Sequence, residues 1–334
     1  MFGRLLRGGL TALRWALGAV GVLSLTGLVM LASPLQRPPE LPSISQTARA
    51  VDRSTMPELQ RFAARDGTEL AYRFYPARGT PSGRIAILVH GSSGSSVAVH
   101  ALADALAGRG VATWAPDIRG HGGSGTRGDI GYLGQLEDDL ADLVALVRKS
   151  APSEPLTLLG HSAGGGFALR VAGSPLQDQF ARTVLLAPYL GYDAPTNRPK
   201  SGGWVSADIP RLLALSMMHR AGVDCCEALP VLAFAVPANS ERFLAKTYSF
   251  RLMRNFATHG YKVDFAAASR PVTLIAGADD ELMLADKYED AVRAVAPSTD
   301  VRLIEGVNHM AIVSAPKAVA AIAEDVATRG GAGS

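Results

Sequence analysis

Cysteine is nearly absent: the only two among 334 residues are the neighbours Cys225 and Cys226, so neither a disulfide framework nor a cysteine-based zinc site can be built. A vicinal bridge would be strained, and two small apolar side chains in a packed segment is the simpler expectation. Charge of one sign is also scarce. The formal balance is +3 with no long lysine or arginine run, which sets nucleic acid aside as a partner. Internal repeats are lacking, and 48% apolar against 19% charged residues excludes a disordered or fibrous chain. What remains is a chain long enough to bury a sizeable core, as one large domain or two modest ones.

One long hydrophobic run stands at the amino terminus. Arg4, Arg7 and Arg14 precede "WALGAVGVLSLTGLVMLAS", residues 15–33, which carries no charge and would span roughly 28 Å as a helix, close to a bilayer's hydrocarbon thickness. Residues 1–35 therefore read as a transmembrane anchor. The basic residues before the run predict a cytoplasmic amino terminus and an extracytoplasmic remainder. A cleaved signal peptide, giving a secreted protein, is the rival reading; Met30 and Leu31 make a poor small-x-small cleavage site near Ala32 and Ser33. Residues 36–58 are proline-rich and polar without a period, and read as a tether.

From residue 59 to about 329 strand-like and helix-like segments alternate, the pattern of an α/β fold with a mostly parallel, doubly wound sheet. "RFAARDGTELAYRFYPA" reads as a hairpin around Asp66-Gly67. "RIAILVH" is a continuous apolar run ending at Gly91, as expected of a strand buried on both faces, and "VATWAP", "EPLTLLG", "ARTVLLAP", "RPVTLIAG" and "DVRLIEG" read as further strands. "YLGQLEDDLADLVALVRKS" places Leu136, Leu140, Leu143, Val144 and Val147 on one helical face, with carboxylates early and cations late, as the helix dipole favours. Regularity lapses over about 189–268, read as a cap of helical or irregular segments inserted over the carboxyl edge of the sheet. The tail "GGAGS" is expected to be disordered.

"LLGHSAGGGF", 158–167, holds Gly160-His161-Ser162-Ala163-Gly164 between a strand and a helix, the context of a nucleophile elbow. An abrupt strand-to-helix turn strains the serine backbone and projects its hydroxyl, so the flanking glycines must keep side chains out of close contact. A serine nucleophile needs a base, and the base an orienting acid. "VTLIAGADDELM" supplies Asp279 and Asp280 after one strand, and "VRLIEGVNHM" supplies His309 after the next, in the chain order serine, acid, histidine. Asp280 is preferred to Asp279, and His161, beside the serine, is expected to be a bystander. The oxyanion donors are expected to be the backbone N–H of Ala163 and that of Ser92, in the small, glycine-rich loop "HGSSGSS".

These stretches resemble the serine α/β-hydrolase family, and within it the monoacylglycerol lipase-like and lysophospholipase-like branch. The resemblance runs over about residues 60–325 and rests on "DGTELAYRFY", "ILVHGSSGSS", "APDIRGHGGSG", "LLGHSAGGG", "LIAGADDELM" and "NHM". It implies that Asp117 and His121 are structural, and that the acid lies three residues after Gly277, at Asp280. It further implies a serine hydrolase acting on carboxylic esters with no cofactor or metal. A lipid-like ester, monoacylglycerol or lysophospholipid, suits the apolar cap and the anchor. A short-chain esterase or thioesterase, an amide or peptide hydrolase, and a non-catalytic hydrolase-like binding domain are the alternatives. Ser162 speaks against epoxide and haloalkane hydrolases, which place a carboxylate there.

Overall fold

The computed structural model describes residues 2–237 and 244–329; the tail "GGAGS" lies outside the described residues. Its centre is an eight-stranded sheet in the order β1-β2-β4-β3-β5-β6-β10-β11. The strands are β1 (Gln60–Ala63), β2 (Glu69–Tyr75), β3 (Ile85–Val89), β4 (Ala112–Pro116), β5 (Leu156–His161), β6 (Arg182–Leu186), β10 (Val272–Gly277) and β11 (Asp300–Ile304). The hairpin β1–β2 is antiparallel to itself and to β4, and the remaining neighbours are parallel. Every residue of β3, β5, β6 and β10 is buried, as their continuous apolar runs require of strands covered on both faces.

Helices α3 (His100–Gly108) and α10 (Pro316–Thr328) pack against each other, α5 (Ala163–Ala172) packs on α8 (Tyr261–Ala267), and α9 (Tyr288–Arg293) lies against β11. Helix α4 (Gln135–Ser150) buries the five apolar residues expected, with Glu137 and Asp138 in its first turn and Arg148 and Lys149 in its last. The chain leaves β3 for β4 on one side and returns to β5 on the other. The carboxyl ends of β3 and β5 thus flank a topological switch point, where open α/β sheets form their ligand crevice.

Three expectations need correction. The inserted cap is not only helical or irregular: β7 (Val205–Ala207), β8 (Pro230–Phe234) and β9 (Thr247–Ser249) form a three-stranded antiparallel sheet, accompanied by α6 (Ile209–Arg220) and α7 (Phe250–Asn255). The segment 36–58 is not a plain tether, because it contains helix α2 (Pro42–Arg49), whose Ile44 is buried in the main core. Cys225 and Cys226 are free, with Cys225 exposed rather than packed.

Helix α1 (Phe2–Leu31) carries the apolar run, and none of residues 14–31 is buried. By length and composition it could cross a bilayer. Its carboxyl end is fastened to the cap: Arg211 Nε donates to the Leu31 carbonyl at 2.8 Å, Arg211 also donates to the Ser33 carbonyl, and Ser33 Oγ donates to Asp208 Oδ1.

Candidate active site

Where β5 meets α5, Ser162 takes a left-handed backbone, φ +54° and ψ −118°, a conformation costly for a residue with a Cβ. Its neighbours make the turn possible. A Cβ on Gly160 would lie 2.1 Å from the Gly164 carbonyl oxygen, and one on Gly164 would lie 2.3 Å from the His90 carbonyl oxygen. The strain is held by three backbone bonds: Ser162 N–H donates to Leu186 O at 2.9 Å, and Ser162 O accepts from Gly166 N at 3.0 Å and Tyr189 N at 2.9 Å.

The structure brings together residues 147 and 29 positions apart. Ser162 Oγ lies 2.9 Å from His309 Nε2, and His309 Nδ1 lies 2.8 Å from Asp280 Oδ2. All three residues are buried. Asp280 Oδ1 accepts the N–H groups of Leu282 and Met283, both at 2.8 Å. Burial alone would raise the pKa of Asp280, but the adjacent His309 and these hydrogen bonds outweigh it and hold the carboxyl below its ordinary value. Asp280 is therefore an anion, and it fixes the proton on Nδ1, leaving the Nε2 lone pair toward the serine hydroxyl. Asp279 is exposed and uses its N–H on Val307 O.

Ala163 directly follows Ser162, and Ser92 lies in the loop after β3. As the first residue of α5, Ala163 has an N–H without an intrahelical acceptor. Ser92 follows Gly91, whose added Cβ would sit 3.1 Å from Ser162 Cβ, so the loop after β3 runs directly against the elbow. Trp204 Nε1 donates to Ser92 Oγ at 2.9 Å. Both Ser92 and Ser162 line a cavity of about 240 Å³, together with His309 and a largely apolar wall. Among the described residues, no group of three or more His, Cys, Asp or Glu side chains is placed to hold a metal ion.

Two features escaped the sequence reading. His161 is more than a bystander: its Nε2 donates to the His309 carbonyl at 3.0 Å and its ring centre lies 4.9 Å from that of His309, the two planes tilted by 43°. Full burial, then the neighbouring His309, push its pKa down to about 3, so it is a neutral support for the histidine loop. Tyr248, on β9, is the second. Ser93 N–H donates to Tyr248 Oη at 2.8 Å, and Tyr248 Oη donates to His121 Nε2 at 2.5 Å. Asp117 joins the same buttress, accepting from Ser96 N at 2.7 Å and Gly123 N at 2.8 Å. Asp117 and His121 thus hold the loop after β3 and do not touch the serine.

A family described as serine aminopeptidase, S33 (Hydrolase_4) matches residues 80–314. The chain is 30% identical over 128 residues to a monoacylglycerol lipase of Mycolicibacterium smegmatis, covering 38% of this chain and 45% of that protein. It is 32% identical over 151 residues to the human monoglyceride lipase, covering 45% and 48% respectively. The chain thus spans about half the length of the curated relatives it matches. Among solved structures, a soluble variant of the Saccharomyces cerevisiae monoglyceride lipase superposes with a TM-score of 0.59 at 18% identity, over 82% of this chain and 95% of that one, a likeness of fold. A match through most of the chain, from before β3 to beyond His309, identifies the lineage: the chain belongs to the serine aminopeptidase, S33 family and has the α/β-hydrolase fold.

Proposed function

We propose that this protein is a membrane-anchored serine hydrolase that cleaves single-chain, lipid-like carboxylic esters through an acyl-enzyme. The observation that carries the reading is the buried relay from Ser162 Oγ through His309 to Asp280, at 2.9 and 2.8 Å. Both spacings are within hydrogen-bond reach of a nucleophile, its base and the base's orienting acid.

In this mechanism Ser162 Oγ attacks the ester carbonyl carbon while its proton passes to His309 Nε2. Asp280 holds the tautomer and stabilises the imidazolium without taking the proton. Negative charge develops on the former carbonyl oxygen, which the N–H groups of Ser92 and Ala163 receive; one such donor contributes on the order of 10²–10³ in turnover. Collapse of the tetrahedral intermediate breaks the bond to the alcohol oxygen, which leaves with the proton from Nε2. Water, deprotonated by the same nitrogen, then attacks the acyl carbon, releases the carboxylic acid and restores Ser162. No metal or organic cofactor enters a step.

The lipid reading is supported by the cavity beside Ser162. Ile44, Val97, Val236, Leu244, Leu282 and Met310 give it apolar walls, and its volume of about 240 Å³ is no larger than the roughly 300–1,000 Å³ of small-molecule sites, room for one acyl chain rather than two. The relatives named as monoacylglycerol or monoglyceride lipases point the same way, toward a monoacylglycerol or lysophospholipid. A fluorophosphonate probe tests the chemistry: the wild-type protein becomes labelled and Ser162→Ala does not. Equal labelling of the two would end the serine-hydrolase reading.

A further inference from the structure

The segment that leaves α1 does not run clear of the catalytic centre. It returns across the cap, where Leu41 N–H donates to Ala235 O at 3.2 Å, and α2 then lies against the mouth of the cavity. Ile44, Ser45, Ala48, Arg49 and Arg53 line the same space as Ser162 and His309. This wall is also tied to the loop after β3. Ala235 N–H donates to Trp204 O at 2.9 Å, and the Trp204 indole donates to Ser92 Oγ at 2.9 Å.

The formal charges that this wall turns to the cavity are both positive. Arg49 and Arg53 line the cavity and no aspartate or glutamate does; both arginines are exposed, so they stand at the rim and not in its depth. Arg49 Nη2 holds Glu40 at 2.8 Å, an ion pair in which the arginine side chain keeps 62% exposure. Solvent-exposed pairs of this kind are weak, and a dianionic ligand can replace Glu40. Arg53 Nη2 donates to the Ala48 carbonyl, which draws its guanidinium back onto the end of α2, the helix that carries Arg49. Two guanidinium forks lining one cavity suit a phosphate, which offers oxygens to both, better than a single carboxylate.

We propose that residues 41–53 form the head-group wall of the substrate site, and that Arg49 and Arg53 select single-acyl esters whose alcohol part carries a phosphate. The inference rests on the ester-hydrolase reading above and adds the polar half of the substrate to it. The acyl chain takes the apolar depth, the ester lies at Ser162, and the phosphate remains at the rim, where its charge keeps contact with water.

The test uses the full-length protein in detergent, with a monoacylglycerol and the monoacylglycerol phosphate of the same chain. The wild type prefers the phosphate in kcat/KM by about tenfold. In Arg49→Gln/Arg53→Gln that ratio collapses toward one, mainly through KM for the phosphate substrate, and in Arg49→Lys/Arg53→Lys a larger part of it survives. High ionic strength erodes the wild-type preference. A wild type that labels with fluorophosphonate yet favours the neutral ester, or a preference untouched by the glutamine pair, overturns the head-group assignment. A wild type that does not label overturns the hydrolase reading instead.

Discussion

Ser162 turns its hydroxyl toward His309 at a cost in backbone strain, and the side chains around it are chosen by space and protonation more than by reactivity. His161 illustrates this. The folded protein keeps it neutral, with a pKa pushed down to about 3 by full burial and by His309, whereas the unfolded chain binds its proton near the ordinary value of about 6.5. Between those values only the unfolded state gains the proton, so stability present above about pH 6.5 is lost as the pH falls. By pH 5 this histidine alone costs about 2 kcal/mol. His90 and His121 are buried and shifted in the same direction, chiefly by desolvation, and add to the loss. The melting midpoint therefore drops between pH 7 and pH 5, and drops less in His161→Gln, whose amide can still donate to His309 O. A wild type equally stable at both values would contradict a neutral buried imidazole. The elbow and the chain order of the triad residues were legible because glycine spacing and strand ends are local signals. The support by His161 was not, because the carbonyl it holds is 148 residues away.

At the scale of elements, the parallel strands announced themselves as apolar runs and α4 by its period, whereas the cap sheet did not. β7 and β9 have three residues each, and the run "PVLAF" of β8 has no period that separates strand from buried helix. Helix α2 was equally hidden, being eight residues with a single buried side chain; helices so short form through tertiary contacts, not propensity. Yet these elements hold the loop after β3. Ser93 has a left-handed φ of +66°, and it is clamped from both sides by β9 and the residues before it: its N–H meets Tyr248 Oη at 2.8 Å, and its carbonyl accepts from Ala245 N at 2.9 Å. Tyr248→Phe keeps the ring and removes the hydroxyl. It leaves a buried N–H and a buried imidazole nitrogen unpaired, at a cost of about 1–3 kcal/mol. The N–H of Ser92, the proposed oxyanion donor, then loses its fixed position. On a soluble ester kcat is expected to fall by about tenfold or more with KM little changed. A fall in KM-dependent binding alone would place Tyr248 in the substrate pocket instead.

In the whole molecule, three apolar features lie along one connected path. Helix α1 ends at Leu31, its end is held by Arg211 and Asp208 of the cap, and Ile44 of the cavity wall follows thirteen residues later. Thirteen residues reach at most about 45 Å when extended, and part of this stretch is helical. Helix α6, which packs on α1, exposes Ile209, Leu213 and Met217, spaced four apart and so on one side of the helix. An anchor of the kind proposed, with Arg4, Arg7 and Arg14 on its cytoplasmic side, therefore keeps this face and the cavity mouth close to the outer leaflet. Under that proposal the short connection would do what a long tether would not: it would present the mouth to substrate still held in the membrane. Inserting about twenty glycine and serine residues after the exposed Gln36 adds a flexible span of roughly 25 Å without touching the cavity wall. Hydrolysis of a single-chain ester embedded in vesicles is expected to fall several-fold, while hydrolysis of a freely soluble short-chain ester is unchanged. Equal rates on the vesicle substrate before and after insertion would mean that proximity, not docking geometry, is all the anchor provides.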